Sequence, residues 1–265
     1  MRDLSNDVVV QINEKGISYL QFKVLLNLGV QHAFILKSDR ALLKYRGRVS
    51  TKEEEIAAYN SVCDCLGWDA SRIVRPIQKH TDVVKYIDKV YERFLLDGVD
   101  GLITDKENIV LTTTNADCIL YLLYDKKNKI ISNVHSGWRG SYQRIIEKTV
   151  DMMISKFGSD PNDIIICVCP SIRKCCFEVD QDVRDMFVER FGFLSNINDY
   201  ILNGYTDGKF FIDTVGINNC LLRAKGIPNR NIYDSDICSV CNSDMVHSRR
   251  VEGPEYGLCS AMIVL

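Results

Sequence analysis

A cysteine and two histidines stand in settings that suit a metal. His135 lies in Val134-His135-Ser136-Gly137-Trp138-Arg139-Gly140 at the end of one apolar run, Asn115-Ala116-Asp117-Cys118 opens another, and His80 follows Gln78-Lys79. One thiol and two imidazoles with a seat left free are what a catalytic zinc needs, because the fourth position must take water or substrate. A structural zinc site closes with four ligands. Each residue alone has a plainer use: a single histidine is usually a hydrogen-bonded structural group and a single cysteine a small core residue. The conjunction argues for chemistry. The chain has only four histidines, and His80 and His135 both fall at polar or glycine-flanked strand ends, where a core histidine would be poorly placed. His32 and His247 have weaker contexts, and His32 reads as structural.

Further motifs suggest an anion. In Gly137-Trp138-Arg139-Gly140 the glycines let backbone approach a ligand, and Arg139 lies just ahead of an expected helix whose free N–H groups attract phosphate. Trp138 as a core anchor and Arg139 as a buried ion-pair partner fit equally well. Ser248-Arg249-Arg250 adds two guanidiniums suited to carboxylate or phosphate, though a solvated basic turn has the same composition. The run from Cys169 to Val179 follows a buried strand and is placed to wall a pocket.

These residues need elements to hold them. Apolar periodicity predicts strands over 17–22, 33–36, 74–77, 83–87, 102–104 and 110–113, with a helix over 53–66 ended by Gly67. His80 thus sits at a strand-to-strand turn. The almost continuously apolar 118–124 reads as a strand buried on both faces, with 130–134 its neighbour across a polar turn. If the two pair antiparallel, Cys118 at the start of one lies near His135 at the end of the other. A helix over 142–157 ended by Gly158, a strand over 164–168, a helix over 181–191, a strand over 210–212, a helix over 214–225 and a last strand over 259–265 complete the chain. The class is α+β, a single unit over 17–265, with 1–16 an N-terminal extension or first strand.

Composition narrows the partners. Thirty-three Lys and Arg against 35 Asp and Glu give a net charge of −2, so no basic field invites nucleic acid or an anionic membrane. No apolar run approaches the roughly 20 residues of a membrane span, and the first 14 residues lack the pattern of a secretory signal, so a cytoplasmic location is expected. Eleven cysteines, an odd count, argue for reduced thiols rather than a disulfide framework. Cys63, Cys65, Cys167, Cys169, Cys220 and Cys259 lie in apolar stretches and read as buried. Cys238 and Cys241 form a C-x-x-C without a second such pair, a weak zinc or redox signal.

In order, Gln78-Lys79-His80, Asp100-Gly101-Leu102-Ile103-Thr104, Ala116-Asp117-Cys118, His135-Ser136-Gly137-Trp138-Arg139-Gly140, Pro170-Ser171-Ile172 with Cys175-Cys176-Phe177-Glu178-Val179, and Ser248-Arg249-Arg250 resemble the YfiH or laccase-domain family. Its members are also labelled polyphenol oxidase, purine nucleoside phosphorylase or peptidoglycan editing factor. The resemblance runs from about Ile17 to the C-terminus. It implies a sandwich of mixed β-sheets with helices outside, similar to the cytotoxic-necrotizing-factor and YfiH-like cysteine hydrolases. It also implies a zinc held by His80, Cys118 and His135, with copper a lesser choice. The implied chemistry is phosphorolysis of adenosine, inosine and methylthioadenosine to base and sugar 1-phosphate, together with adenosine deamination. Cys118, His135, His80 and Arg139 would be catalytic, with Gln78, Asp117, Arg139, Arg249 and Arg250 as substrate contacts. The partners would be a nucleoside and phosphate, with a homodimer allowed. Three departures stand out: Thr81 and Cys169 replace glycines, and a Gly-Gly-Val-Ser type loop is missing around Lys37 to Arg48.

Two other readings stay open. Cys118 could be a thiolate nucleophile activated by His135, cleaving an amide such as one in a peptidoglycan precursor. A non-enzymatic nucleotide sensor would use the same pocket without turnover. Copper-dependent phenol oxidation fits least, because three isolated ligands do not make a multicopper array.

Overall fold

The computed structural model describes residues 2–38, 43–44, 52–194, 196–204 and 206–265, so most of the early loop noted above lies outside the described residues. Two large sheets dominate. One has the strand order Val9–Glu14, Ile17–Phe22, Gln31–Ile35, Gly257–Val264, Val110–Asn115 and Ile73–Val74, with Leu43–Lys44 also pairing to Gly257–Val264. The other runs Ile232–Asp234, Ile164–Val168, Ile119–Asp125, Ile130–Ser136, Gly101–Thr104 and Val84–Tyr86. A small third sheet joins Glu178–Asp180, Lys209–Ile212 and Ile201–Asn203. Both large sheets mix parallel and antiparallel pairs.

The apolar alternation explains the layering. Along Ile119–Asp125, Leu120, Leu122 and Tyr124 enter a core shared with Phe34, Leu111, Ala261 and Ile263 of the opposite sheet. Ile119, Tyr121 and Leu123 point the other way, onto Ile145, Val150 and Met153 of the helix Ile145–Phe157 and Leu222 of the helix Thr214–Ala224. A strand covered on both faces is apolar along its covered length, as this one is from Ile119 to Tyr124, before Asp125 turns its carboxylate to the Lys127 and Asn128 N–H groups. The outer face of the first sheet packs Tyr19, Ile35 and Met262 against Tyr59, Val62 and Cys63 of the helix Lys52–Leu66. The result is two sheets face to face with helices on both outer surfaces.

Two expectations need correction. The helix expected over 142–157 is two helices, Trp138–Tyr142 and Ile145–Phe157, because Arg144 between them takes a left-handed φ of 64°. The Gln143 side-chain amide donates to the Arg139 carbonyl at 3.1 Å at this corner. The expected strand over 74–77 shortens to Ile73–Val74 and lies in the first sheet, whereas Val84–Tyr86 belongs to the second. His80 is therefore on a crossover between sheets rather than in a turn within one.

Candidate metal site at the hairpin end

The antiparallel pairing of Ile119–Asp125 with Ile130–Ser136 aligns Leu120 with His135 and Ile119 with Ser136. Cys118, one residue before the strand, is thereby carried to His135. The crossover brings His80 to the same place: its Nε2 lies 3.7 Å from Cys118 Sγ, and its ring meets that of His135 edge-on with centroids 4.9 Å apart. The donor atoms of His80, Cys118 and His135 all fall within 4.8 Å of one another. His135 is buried, Cys118 half-buried and His80 exposed, so the cluster has an inner wall and an open side.

Asp100, a residue whose motif alone does not announce a role, builds this arrangement. Its fully buried carboxylate accepts His135 Nδ1–H at 2.7 Å, and its carbonyl accepts the His135 backbone N–H at 2.7 Å. With Nδ1 so engaged, His135 keeps Nε2 for a metal, the orienting hydrogen bond common to metal-binding histidines. The same carboxylate accepts three successive backbone N–H groups, from Lys79 at 3.1 Å, His80 at 3.1 Å and Thr81 at 2.9 Å. Such a nest of amides suits an anion and holds His80 in its left-handed φ of 60°, a conformation that costs a non-glycine residue roughly 1–2 kcal/mol. Thr81, which replaces the family's glycine, adds a hydroxyl that donates to the Gly98 carbonyl at 2.7 Å and approaches Asp100 Oδ2 at 2.9 Å. Gly101 next door has its own reason: a Cβ there would meet Val84 Cγ2 at 2.9 Å, so the neighbouring strand could not close up.

Electrostatics follow from this packing. Burial alone would raise the Asp100 carboxyl, but the His135 and backbone hydrogen bonds hold it below its ordinary range. Burial would likewise raise the Cys118 thiol, yet His135 and His80 together bring it down to about 6. Burial would lower His135, and Cys118 with Asp100 reverses that, taking it up to about 9. A thiolate facing imidazoles, one of them backed by a carboxylate, can ligate a metal or act as a nucleophile. The fit to a metal has a steric signature as well. Gly137 presses bare backbone on both donors, since a Cβ there would lie 2.6 Å from His80 Cδ2 and 3.1 Å from Cys118 Sγ.

The other expected residues divide. Gln78 uses both ends of its amide on Thr114, accepting the backbone N–H at 2.8 Å and donating to the carbonyl at 2.8 Å, so it fixes the crossover. Asp117, at φ 85°, accepts Ser239 Oγ–H at 2.6 Å and the Arg250 backbone N–H at 2.8 Å, while its carbonyl accepts the Ile172 N–H at 2.8 Å. It is a staple beneath Cys118. Arg250 donates through its guanidinium to the Glu178 carbonyl at 3.0 Å, and Arg249 is exposed in the short helix Arg249–Glu252. Arg139 is exposed, with its guanidinium 4.2 Å from the centre of the Trp138 ring, rather than a buried ion-pair partner. It is the second residue of the helix Trp138–Tyr142 rather than a residue ahead of a helix. Cys169 is fully buried in the core between the sheets, so it does not wall a pocket. His32 is structural: it accepts the Phe22 N–H through Nε2 at 2.7 Å and bonds the Val30 carbonyl through Nδ1 at 2.9 Å. His247 sits 3.0 Å from Glu252, away from this cluster.

Comparison with known proteins shows what the chain is similar to. The chain is 33% identical over 199 residues to adenosine deaminase RL5 of an unknown prokaryotic organism, covering 72% of this chain and 74% of that protein. It is 32% identical over 188 residues to a purine nucleoside phosphorylase of Clostridium acetobutylicum, covering 71% and 74%. Among solved structures it matches YfiH of Bacillus licheniformis with a TM-score of 0.85 at 26% identity, over 96% of this chain and 97% of that one. YlmD of Geobacillus stearothermophilus shares the fold with a TM-score of 0.87 at 23% identity, over 98% and 99%. No helix among the described residues is long and apolar enough to cross a membrane. The family model of the multi-copper polyphenol oxidoreductase laccases matches residues 46–265, a span that includes all three donors, the Asp100 nest and the hairpin that joins them, and the chain belongs to that family.

Proposed function

We propose that the protein is a metal-dependent purine nucleoside enzyme, carrying out phosphorolysis of adenosine, inosine and methylthioadenosine and deaminating adenosine. The observation that carries this reading is the three-donor cluster with one open side, supported by relatives named for these two activities. A zinc ion held by His80, Cys118 and His135 would supply Lewis acidity and lower the pKa of water towards 7. Asp100 keeps His135 in one tautomer and orientation. Arg139 lies two residues from Gly137, the backbone that touches both His80 and Cys118, and its exposed guanidinium is free to orient phosphate at the open side. In phosphorolysis a phosphate oxygen bonds to the ribose C1′ as the C1′–N9 bond breaks, and the purine leaves with the electron pair and takes up a proton. In deamination water adds at the purine C6 and ammonia departs.

A second reading has its own observation. Cys118, His135 and Asp100 are arranged as thiolate, imidazole and carboxylate, with the thiol brought down to about 6, which suits a cysteine nucleophile acting on an amide. A multicopper centre has less support, since His32 and His247 are bonded elsewhere and leave this cluster with two histidines. The test is incubation of the purified protein with adenosine, with and without phosphate and a chelator, and identification of the products. Adenine and ribose 1-phosphate appearing only with phosphate, inosine without it, and both lost to the chelator are expected. Turnover that survives complete metal removal, with Cys118 alkylation abolishing it, would transfer the assignment to the cysteine mechanism.

A further inference from the structure

The C-x-x-C that stands alone in the sequence has a partner in space. Cys238 and Cys241 meet Cys175 and Cys176, and the four sulfurs all lie within 4.8 Å of one another. Topology brings them together. Ile164–Val168 and Ile232–Asp234 pair in parallel, so the loops leaving their C-terminal ends emerge side by side, one carrying Cys175 and Cys176, the other Cys238 and Cys241. None of the four is in a disulfide. Cys176 Sγ is 3.5 Å and Cys175 Sγ 3.9 Å from Cys241 Sγ. A tetrahedral zinc with Zn–S bonds of about 2.3 Å sets its sulfurs about 3.8 Å apart.

The surrounding backbone is already shaped for such an ion. Ser171 and Cys238 form a bridge between the two loops, with Ser171 N–H donating to the Ile237 carbonyl at 3.2 Å and Ser239 N–H to the Ser171 carbonyl at 3.0 Å. Asn242 closes the C-x-x-C turn by donating its backbone and side-chain N–H groups to the Cys238 carbonyl at 3.1 and 2.7 Å.

We propose that Cys175, Cys176, Cys238 and Cys241 bind a structural zinc ion, separate from the His80, Cys118 and His135 cluster. Four thiolates fill the tetrahedron and leave no seat for substrate, so the ion clips two loops and does no chemistry itself. Binding releases the thiol protons to solvent. The clip also reaches the first cluster. Ser239, next to Cys238, holds the Asp117 carboxylate, and Ile172, on the other clipped loop, holds the Asp117 carbonyl, so both sides of the residue preceding Cys118 are tied to it.

Elemental analysis of protein purified without added metal, using the Cys118→Ala variant alongside the unaltered chain, tests this. Cys118→Ala is expected to keep one zinc equivalent, and its cobalt(II)-substituted form to show the intense absorption of a tetrahedral thiolate site. Cys118→Ala carrying Cys241→Ser should keep none. A folded Cys118→Ala protein without zinc, or mass spectra showing the four cysteines as disulfides in protein purified under reducing conditions, overturns the proposal. Because the measurement is made with Cys118 removed, it stands whether or not the first cluster binds zinc: one equivalent in both the unaltered chain and Cys118→Ala would uphold the clip and defeat the metal at His80, Cys118 and His135.

Discussion

The two clusters differ in where their ligands come from and in what they leave open. Cys118 and His135 sit at the paired ends of a hairpin in the middle of a buried sheet, and His80 is held by a carboxylate nest, so three donors are fixed by a central strand pair and the backbone amides gathered on Asp100. The four cysteines sit on two loops that leave a parallel strand pair, and four donors complete a coordination shell. Rigid elements with an incomplete shell position chemistry; loops with a complete shell are themselves positioned by the ion. The sharpest way to break this contrast is to remove one sulfur from each. Cys118→Ala should abolish nucleoside turnover, measured by product release, with little change in unfolding temperature. Cys241→Ser should lower turnover much less than Cys118→Ala does, acting on it only through Asp117, while the unfolding temperature falls by about 2–4 °C for each kcal/mol lost in a chain of this size. If the effects are exchanged, the two sites have been assigned the wrong way round.

A smaller effect is expected one step back from the ligands. Asp100→Asn keeps the size of the side chain but replaces one acceptor oxygen by a donor, facing three backbone N–H groups and His135. Loss of partners around a metal-binding histidine costs about 10- to 100-fold in metal affinity or activity. The expected result is a loss of that size in turnover, recovered in part by excess zinc, while the four-cysteine clip stays loaded. Full activity at limiting metal would show that the nest serves folding alone.

How far the sequence disclosed each cluster follows from the same contrast. Cys118 and His135 could be brought together on paper because an antiparallel hairpin is local: two apolar runs and a polar turn imply the pairing, and the pairing implies the contact. The layering was readable too, since a strand apolar at every position must be covered on both faces. The task of Asp100 is not written in its local sequence, because a carboxylate's partners are set by which strand lies beside it, here a tertiary pairing of Gly101–Thr104 with both Val84–Tyr86 and Ile130–Ser136. The second pair of cysteines was invisible for a stronger reason. Parallel strands need a long crossover, and nothing near Cys175 or Cys238 in the chain announces that 164–168 and 232–234 are neighbours. Arg144 shows the limit on the local side: apolar spacing continues through it, but a single left-handed residue divides the helix.

An effect on acid sensitivity rather than on turnover comes from a histidine that belongs to neither cluster and shows what the others would be without their partners. His32 and His135 are both buried, yet burial takes His32 down to about 4, whereas Asp100 and Cys118 take His135 up to about 9. His32 has two backbone partners and no carboxylate: Nε2 must stay unprotonated to accept the Phe22 N–H. The unfolded chain protonates this imidazole below about 6.5 and the folded chain only below about 4. Between those values the unfolded state binds more protons, so the stabilisation is complete above pH 6.5 and is lost as the pH falls towards 4, to an extent of about 3 kcal/mol. His32→Gln can keep an acceptor for Phe22 but does not titrate. Urea unfolding at pH 7 and at pH 4.5 should show the variant weaker at neutral pH and losing less stability on acidification than the unaltered chain. An equal loss in both would mean that the acid sensitivity resides in other groups, and that burial without a charged partner does not set the behaviour of this imidazole.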